Sequence, residues 1–171
     1  MIHVCCLAEM AEHAERLRPT HLVSLVNPDE MPLTPAGIFA DRHLCLGIHD
    51  ICEPLAGCIH PDVPHIRLLV DFLLDWAHDE GSLLIHCYAG VSRSTAAALT
   101  ALVAKAPGRE MEAAQALRAA APHAQPNRRM IALADEFLGC EGRLIAARDA
   151  IGYAAAIPRG PLTALPLLTI R

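Results

Sequence analysis

Aromatic side chains are scarce in this sequence of 171 residues: they make up 4% of it, whereas hydrophobic residues as a group make up 53%. Much of that hydrophobic content is alanine and leucine, a composition that favours packed helices and disfavours a β-sandwich. Basic residues are also few, with 14 Lys and Arg against 19 Asp and Glu and a formal net charge of −5. Such a chain is not expected to present the broad basic face that nucleic acids require, so we expect no nucleic-acid partner.

Long hydrophobic runs and paired metal-binding cysteines are missing as well. No apolar stretch approaches the length of about 20 residues that a transmembrane helix needs, and the start of the chain lacks the pattern of a signal peptide. The 7 cysteines are irregularly spaced and include no Cys-x2-Cys pair, which disfavours a zinc site, and we expect neither a metal nor a cofactor. Free thiols suit a reducing compartment, so we predict a cytoplasmic protein that does not bind membranes.

Four short apolar runs predict buried strands, at residues 2–7, 21–26, 43–48 and 83–86. Segments with helical spacing or composition lie between or after them, at residues 8–17, 64–78, 94–106, 109–121, 127–138 and 141–150. Strands joined through helices or long crossovers predict an α/β fold, with a mostly parallel sheet of about four to five strands and helices on both faces. We expect a single domain at residues 1–157 and a proline-containing tail at residues 158–171 that runs extended over the surface.

The strongest chemical signal is the segment that follows the fourth predicted strand. A loop from Cys87 to Ser92 leads into Arg93 and an Ala-rich helix, with Ser92 or Ser94 as its cap. Successive N–H groups of such a loop form a concavity for an anion, and the helix dipole adds partial positive charge. A thiolate at the front of the loop is stabilised there, and a guanidinium at its end can grip two phosphate oxygens. None of the other six cysteines has an arginine six positions later.

Residues 86–94, His-Cys-Tyr-Ala-Gly-Val-Ser-Arg-Ser, resemble the signature loop of the cysteine-dependent protein tyrosine phosphatases and are closest to the dual-specificity branch. Further similar segments, including a Pro-Asn turn at Asn127, extend the resemblance over residues 43–139. The resemblance implies the phosphatase fold and a phosphocysteine mechanism with Cys87 as nucleophile. It also implies that the phosphoryl oxygens are bound by Arg93 and by the backbone N–H groups of the loop, from Tyr88, Ala89, Gly90, Val91, Ser92 and Arg93.

Two residues that flank this loop are expected to support it. In the family, a histidine before the cysteine braces the loop and helps to set the thiolate, which assigns that role to His86. Ser94 is placed to hydrogen-bond the Cys87 sulfur as it leaves the phosphocysteine, although a helix cap would equally explain a serine there.

The leaving oxygen of a phosphate ester needs a proton, so we expect a carboxylic acid above the pocket. Asp50 is the first candidate, because it directly follows the strand at residues 43–48, at the end where parallel sheets build their sites. Glu53 is the rival, and a site without an essential acid is the remaining alternative. Asp41 precedes the strand and so lies at the wrong end, whereas Asp62 suits a helix cap.

Two groups near the expected pocket have open roles. Residues 127–129, Asn-Arg-Arg, either approach the pocket rim or form a solvated helix start. Cys45 and Cys52 lie near the acid loop, where either could form a protective disulfide with an oxidised Cys87 or simply pack as a small apolar side chain.

The sequence therefore predicts a metal-independent phosphatase that hydrolyses phosphotyrosine in proteins, with phosphoserine and phosphothreonine as further candidates. Its expected partners are a phosphorylated protein or a small aryl phosphate, with inorganic phosphate or another oxyanion in the loop. The single lysine, Lys105, argues against a highly charged inositol phosphate. The alternatives are a phosphate-binding module without turnover, or an arsenate reductase or sulfur carrier of the Cys-loop type, for which a second, resolving thiol would be essential in the reductase.

Overall fold

The structure is a computed structural model that describes residues 1–79 and 81–168. Within these ranges, five strands form one sheet: β1 (Ile2–Cys6), β2 (His21–Val26), β3 (His43–Gly47), β4 (Leu83–Cys87) and β5 (Thr163–Leu165). The strand order is β3-β2-β4-β1-β5, and all neighbouring pairs are parallel except β1 with β5. The predicted α/β fold with a mostly parallel sheet is confirmed.

The described residues also contain six α-helices: α1 (Leu7–Leu17), α2 (Val63–Ala77), α3 (Arg93–Lys105), α4 (Glu110–Ala120), α5 (Arg128–Phe137) and α6 (Arg143–Ala150). Each lies within two residues of a helix predicted from its helical spacing or composition. Short 3-10 turns at Pro28–Glu30 and Ala40–Arg42 precede β3. None of the helices in these ranges is long and apolar enough to cross a membrane.

The two faces of the sheet are covered unequally. Helix α1 alone packs its Met10 and Ala14 against one face, where they meet Cys5, Leu22 and Leu84. Helices α2 to α6 lie on the other side around α3, in which every residue from Arg93 to Ala104 is buried. The alanines of α3 let neighbouring helices approach closely, which explains why this apolar helix is central, as its composition predicts.

The tail needs one correction. Instead of running over the surface throughout, it supplies β5, whose Thr163 pairs with Val4 and whose Leu165 pairs with Ile2 and is fully buried. Three residues are too short a run for alternation to reveal a strand in the sequence. The domain boundary at residue 157 stays a prediction, and residues 169–171 of the tail lie outside the described part.

Candidate active site

The candidate site lies where the parallel strands β2, β3 and β4 end. Because parallel strands present their carboxyl ends at one edge, Asn27 after β2, Asp50 after β3 and Cys87 at the end of β4 come together there. A cavity of about 390 Å³ opens at this edge, and its lining includes Asn27, Glu30, Asp50, Tyr88, Ala89 and Arg93. The predicted nucleophile loop and the predicted acid loop thus share one cavity.

Cys87 is buried, but hydrogen-bond donors surround its sulfur. The backbone N–H of Gly90 donates to Sγ at 3.3 Å, and the Ser94 hydroxyl lies 3.1 Å from Sγ. Both groups can donate to a thiolate, and neither can remove a proton from a thiol efficiently. Ser94 lies inside α3 and does not cap it; the N-cap is Ser92, whose side chain makes no cap hydrogen bond. The Gly90 N–H and the Ser94 hydroxyl therefore both contact the sulfur directly.

The backbone of the Cys87 loop (residues 87–92) is held from outside. Its carbonyl oxygens accept N–H groups from other segments: Tyr88 from Leu7 at 3.2 Å, Ala89 from Gly160 at 2.8 Å, and Val91 from Gln125 at 2.9 Å. Gly90 adopts a positive φ of 73°, and a Cβ there would lie 2.9 Å from the Cys5 carbonyl oxygen, so only glycine fits. These carbonyls are held by other segments, and the Gly90 N–H of the same loop points to the Cys87 sulfur; an anion-binding loop has the same polarity.

Arg93 connects this loop to the ends of β2 and β3. One guanidinium nitrogen donates to the Ile48 carbonyl at 2.5 Å and to Asn27 Oδ1 at 3.2 Å. Its Nε is buried and has no hydrogen-bond partner in the described part of the chain, although the residue is only 4% exposed. A buried, unpaired N–H of a cation is costly. An acceptor oxygen placed beside the loop would satisfy it.

Asp50 stands at the rim of the cavity with one oxygen engaged. Its Oδ1 accepts the Ser92 hydroxyl at 2.7 Å and the Asn127 amide at 2.9 Å. Two donors on Oδ1 leave Oδ2 to carry the proton when the group is neutral. The Asn127 side chain also caps α5 by accepting the Met130 N–H at 3.1 Å. The sequence left open whether Asn127 starts a helix or lies at the rim of the pocket; it does both.

The three carboxylates that competed with Asp50 in the sequence do not line its cavity, but Glu30, which the sequence did not single out, does. Glu53 lines a neighbouring cavity with Arg128 and Arg129. Asp62 caps α2, as predicted, and pairs with Arg129 at 3.3 Å, while Asp41 precedes β3 at the opposite edge. Glu30, in the 3-10 turn after β2, lines the same cavity as Asp50, and its Oε2 is buried without a hydrogen-bond partner in the described ranges. Nothing in the pattern around Pro28 signals this placement.

His86 supports the loop as a neutral side chain. It is fully buried, and burial lowers its pKa to about 4, with the nearby charges of His43 and Arg93 acting in the same direction. Its Nε2 lies 2.6 Å from the Ser24 hydroxyl on the neighbouring strand. Because the imidazole is uncharged near neutral pH, any effect on Cys87 is exerted through hydrogen bonds and dipoles rather than through a full positive charge.

The register of the sheet places another cysteine beside the predicted nucleophile. Cys6 pairs with Cys87 across β1 and β4, whereas Cys52 contacts Asn127 and Cys45 is exposed next to His43. All seven cysteines lie in the described ranges and none forms a disulfide. A redox role for Cys45 or Cys52 stays a prediction. Within residues 1–79 and 81–168, no three His, Cys, Asp or Glu side chains are grouped to hold a metal ion.

Comparison with solved structures identifies the fold. The structure of DUSP15 superposes with a TM-score of 0.62 at 19% identity, over 88% of this chain and 89% of that one. PTP-2 phosphatase of Cydia pomonella gives 0.61 at 20% identity over 79% and 84%, and human DUSP28 gives 0.60 at 19% identity over 82% and 92%. By sequence, no family model and no curated protein matches the chain. The chain has the protein tyrosine phosphatase fold of the dual-specificity phosphatase type.

Proposed function

We propose that this protein is a metal-independent phosphatase that hydrolyses phosphate monoesters through a phosphocysteine intermediate. The observation that supports this most directly is the placement of Arg93, which lines the cavity beside the Cys87 loop and whose buried Nε lacks a hydrogen-bond partner within the described residues. A backbone N–H and a guanidinium placed beside a thiol suit a phosphate ester, whose oxygens they can bind while the sulfur attacks phosphorus. The shared fold of the dual-specificity type supports the same reaction class.

In the first step, the Cys87 thiolate attacks phosphorus and a P–S bond forms as the P–O bond to the leaving group breaks. The proton of Asp50 passes to the leaving oxygen, so an alcohol or phenol departs without negative charge. The loop N–H groups and Arg93 meet the three equatorial oxygens, where their bonds strengthen as the transition state forms.

In the second step, a water molecule attacks the phosphocysteine. The ionised Asp50 accepts a proton from that water, the P–S bond breaks, and inorganic phosphate leaves. The Ser94 hydroxyl, 3.1 Å from Sγ, stabilises the negative charge that returns to the sulfur. We therefore expect the Ser94 hydroxyl to accelerate the second step more than the first.

The proposed substrate is a phosphotyrosine side chain in a protein, with phosphoserine and phosphothreonine as further candidates. Tyr88 is 59% exposed and lines the cavity with Ile51, so an aromatic leaving group has an apolar surface to contact. One solved structure of this fold is PTPMT1 in complex with PI(5)P, a phosphoinositide. In this chain, Arg93 is the only arginine or lysine among the described residues that line the cavity, which disfavours a ligand with several phosphates.

The test is hydrolysis of p-nitrophenyl phosphate by the wild-type protein in excess EDTA. We expect turnover that EDTA does not reduce, and acid quenching during turnover should trap one phosphoryl group on the peptide that contains Cys87. Binding of inorganic phosphate without any hydrolysis would favour the binding-module alternative. Serine substitutions of Cys6, Cys45 and Cys52 should retain hydrolysis; a strict need for one of them would favour the reductase.

Replacement of Asp50 by asparagine should remove the basic limb of the pH–rate profile and lower kcat by about 10²- to 10³-fold for an alkyl phosphate. In the wild type, the rate falls as pH rises because the acid loses its proton; the variant has no such proton to lose. The loss should be smaller for p-nitrophenyl phosphate, whose leaving group needs little protonation. The measurement is kcat against pH for both substrates.

Glu30→Gln is the matched control for Asp50, because Glu30 is the other Asp or Glu among the described residues that line the cavity. It should keep the basic limb. If Glu30→Gln flattens the profile and Asp50→Asn does not, the acid is Glu30. Asn127→Ala removes a hydrogen-bond donor to Asp50 Oδ1. It should also weaken the basic limb of the pH–rate profile, but less than Asp50→Asn does.

A further inference from the structure

The loop that carries Asp50 is closed at its base by two hydrogen bonds between His49 and Ile59. The backbone N–H of His49 donates to the Ile59 carbonyl at 2.7 Å, and the Ile59 N–H donates to His49 Nδ1 at 3.0 Å. We call these two contacts the His49 clamp, and the residues that they enclose, 50–58, the Asp50 loop. The mechanism proposed above assigns no role to His49.

The direction of the second bond fixes the form of the His49 side chain. A backbone N–H can only donate, so Nδ1 must offer a lone pair to Ile59. The neutral imidazole then carries its proton on Nε2. An asparagine has its acceptor oxygen one bond from Cγ, as Nδ1 is, whereas a leucine offers no acceptor. The His49 clamp therefore depends on an acceptor at one particular atom of residue 49.

The clamp belongs to the wall of the candidate active site. Residues from both ends of the Asp50 loop and its base line the cavity of about 390 Å³: His49, Asp50, Ile51 and Cys58. The chain that enters the clamp is fixed to β2, because the Ile48 N–H donates to the Val26 carbonyl at 2.9 Å. The clamp therefore closes the loop against a segment that the sheet already holds.

The side chain of Asp50 needs such support from its backbone. Asp50 is exposed, and the two side-chain groups that hold it, the Ser92 hydroxyl and the Asn127 amide, both donate to Oδ1. Bonds to a single atom leave the carboxyl group free to rotate about that atom, so the position of Oδ2 depends on the backbone at residue 50. Proton transfer requires Oδ2 within hydrogen-bond reach of the leaving oxygen, and a displacement of about 1 Å is costly.

We propose that His49 is a positioning residue for Asp50: by accepting the Ile59 N–H at Nδ1, it closes the Asp50 loop and fixes the carboxyl group at the cavity. The role of Asp50 as the acid belongs to the proposed function, and this step of the inference rests on it. The clamp itself is independent of that function, because it is a contact between two residues of the loop base.

The direct test observes the clamp by NMR in mildly alkaline buffer. The ¹⁵N chemical shifts of wild-type His49 should show its proton on Nε2. In His49→Leu, the Ile59 amide should exchange with solvent about three- to tenfold faster than in the wild type, as the loss of one hydrogen bond implies. His49→Asn should keep the slow exchange, whereas His49→Gln, whose acceptor lies one bond farther from Cγ, should not. A His49 proton on Nδ1, or equal exchange in the wild type and His49→Leu, refutes the proposal whether or not the protein is a phosphatase.

The second test compares two leaving groups. His49→Leu should lower kcat/KM about 10-fold for phenyl phosphate and about twofold for p-nitrophenyl phosphate, because only the poorer leaving group depends strongly on the Asp50 proton. His49→Asn should keep both wild-type values. In an Asp50→Asn background, His49→Leu should lower neither value further, because the proton that it would misplace is already absent.

His60→Leu is the matched control: His60 directly follows Ile59, is partly exposed like His49 and is not among the described residues that line the cavity. It should leave the ratio of the two kcat/KM values unchanged. Equal losses for both substrates in a folded His49→Leu, or the same change of ratio in His60→Leu, contradict the proposal. If His49→Leu does not fold, His49→Gln against His49→Asn provides the same comparison. If the wild type hydrolyses neither ester, the proposed function fails, and the NMR result alone decides whether the clamp exists.

Discussion

Replacing Cys87 with serine should lower aryl phosphate hydrolysis by about 10⁴-fold or more. The groups around the sulfur, the Gly90 N–H and the Ser94 hydroxyl, stabilise negative charge but supply no base for a neutral hydroxyl. A serine there stays protonated and is a poor nucleophile. The measurement is kcat/KM for p-nitrophenyl phosphate, together with the trapped phosphoenzyme, which should disappear.

Two results accompany this loss. Inorganic phosphate should still bind the Cys87→Ser variant in calorimetry, because Arg93 and the loop N–H groups are unchanged. Cys140→Ser is the matched control: Cys140 is also buried, but burial and its hydrogen bond to Glu110 raise its thiol pKa to about 12, and it lies outside the cavity. It should retain full activity. Equal activity of Cys87→Ser and the wild type would exclude Cys87 as the nucleophile.

Replacing Arg93 with lysine should lower kcat/KM by about 10³-fold, mostly through kcat. In the proposed role the guanidinium has two tasks: one nitrogen is held by the Ile48 carbonyl and Asn27, while Nε, which has no partner within the described residues, would bind a phosphoryl oxygen. A lysine has one ammonium group and cannot be held at the end of β3 while it offers a planar pair of donors to the substrate. Steady-state kinetics measures the contribution of Arg93 to catalysis, and the affinity for inorganic phosphate measures its contribution to binding.

The control for charge and packing is Arg118→Lys, since Arg118 also holds backbone carbonyls, those of Pro122, Ile151 and Gly152, but does not line the cavity. It should change kcat/KM little. Asn27→Ala removes one anchor of Arg93 and should cost less than Arg93→Lys, because the bond to Ile48 remains. If Arg93→Lys and Arg118→Lys behave alike, the guanidinium does not have the proposed role.

Much of the site is local in the chain and so could be predicted from it. The strand β4, the Cys87 loop and the start of α3 are consecutive in the chain. A strand, a glycine turn and a helix start allow few backbone geometries for the six residues between Cys87 and Ser94. Apolar runs, helical spacing and helix-favouring composition also located the six α-helices of the described residues and the four parallel strands, because these signals are local in the chain.

The rest of the site depends on which strands lie side by side, and spacing along the chain does not encode strand order. The order β3-β2-β4 brings Asn27 and Ile48 to Arg93, places Glu30 at the cavity and connects His43 through Ser24 to His86. Asn127 meets Asp50 across 77 positions only because α5 packs beside the loop. The sequence by itself determined the Cys87 loop as the candidate site, since that loop is built from near neighbours in the chain. The tertiary structure decided what holds Arg93, Asp50 and His86, since those contacts arise only when distant segments pack.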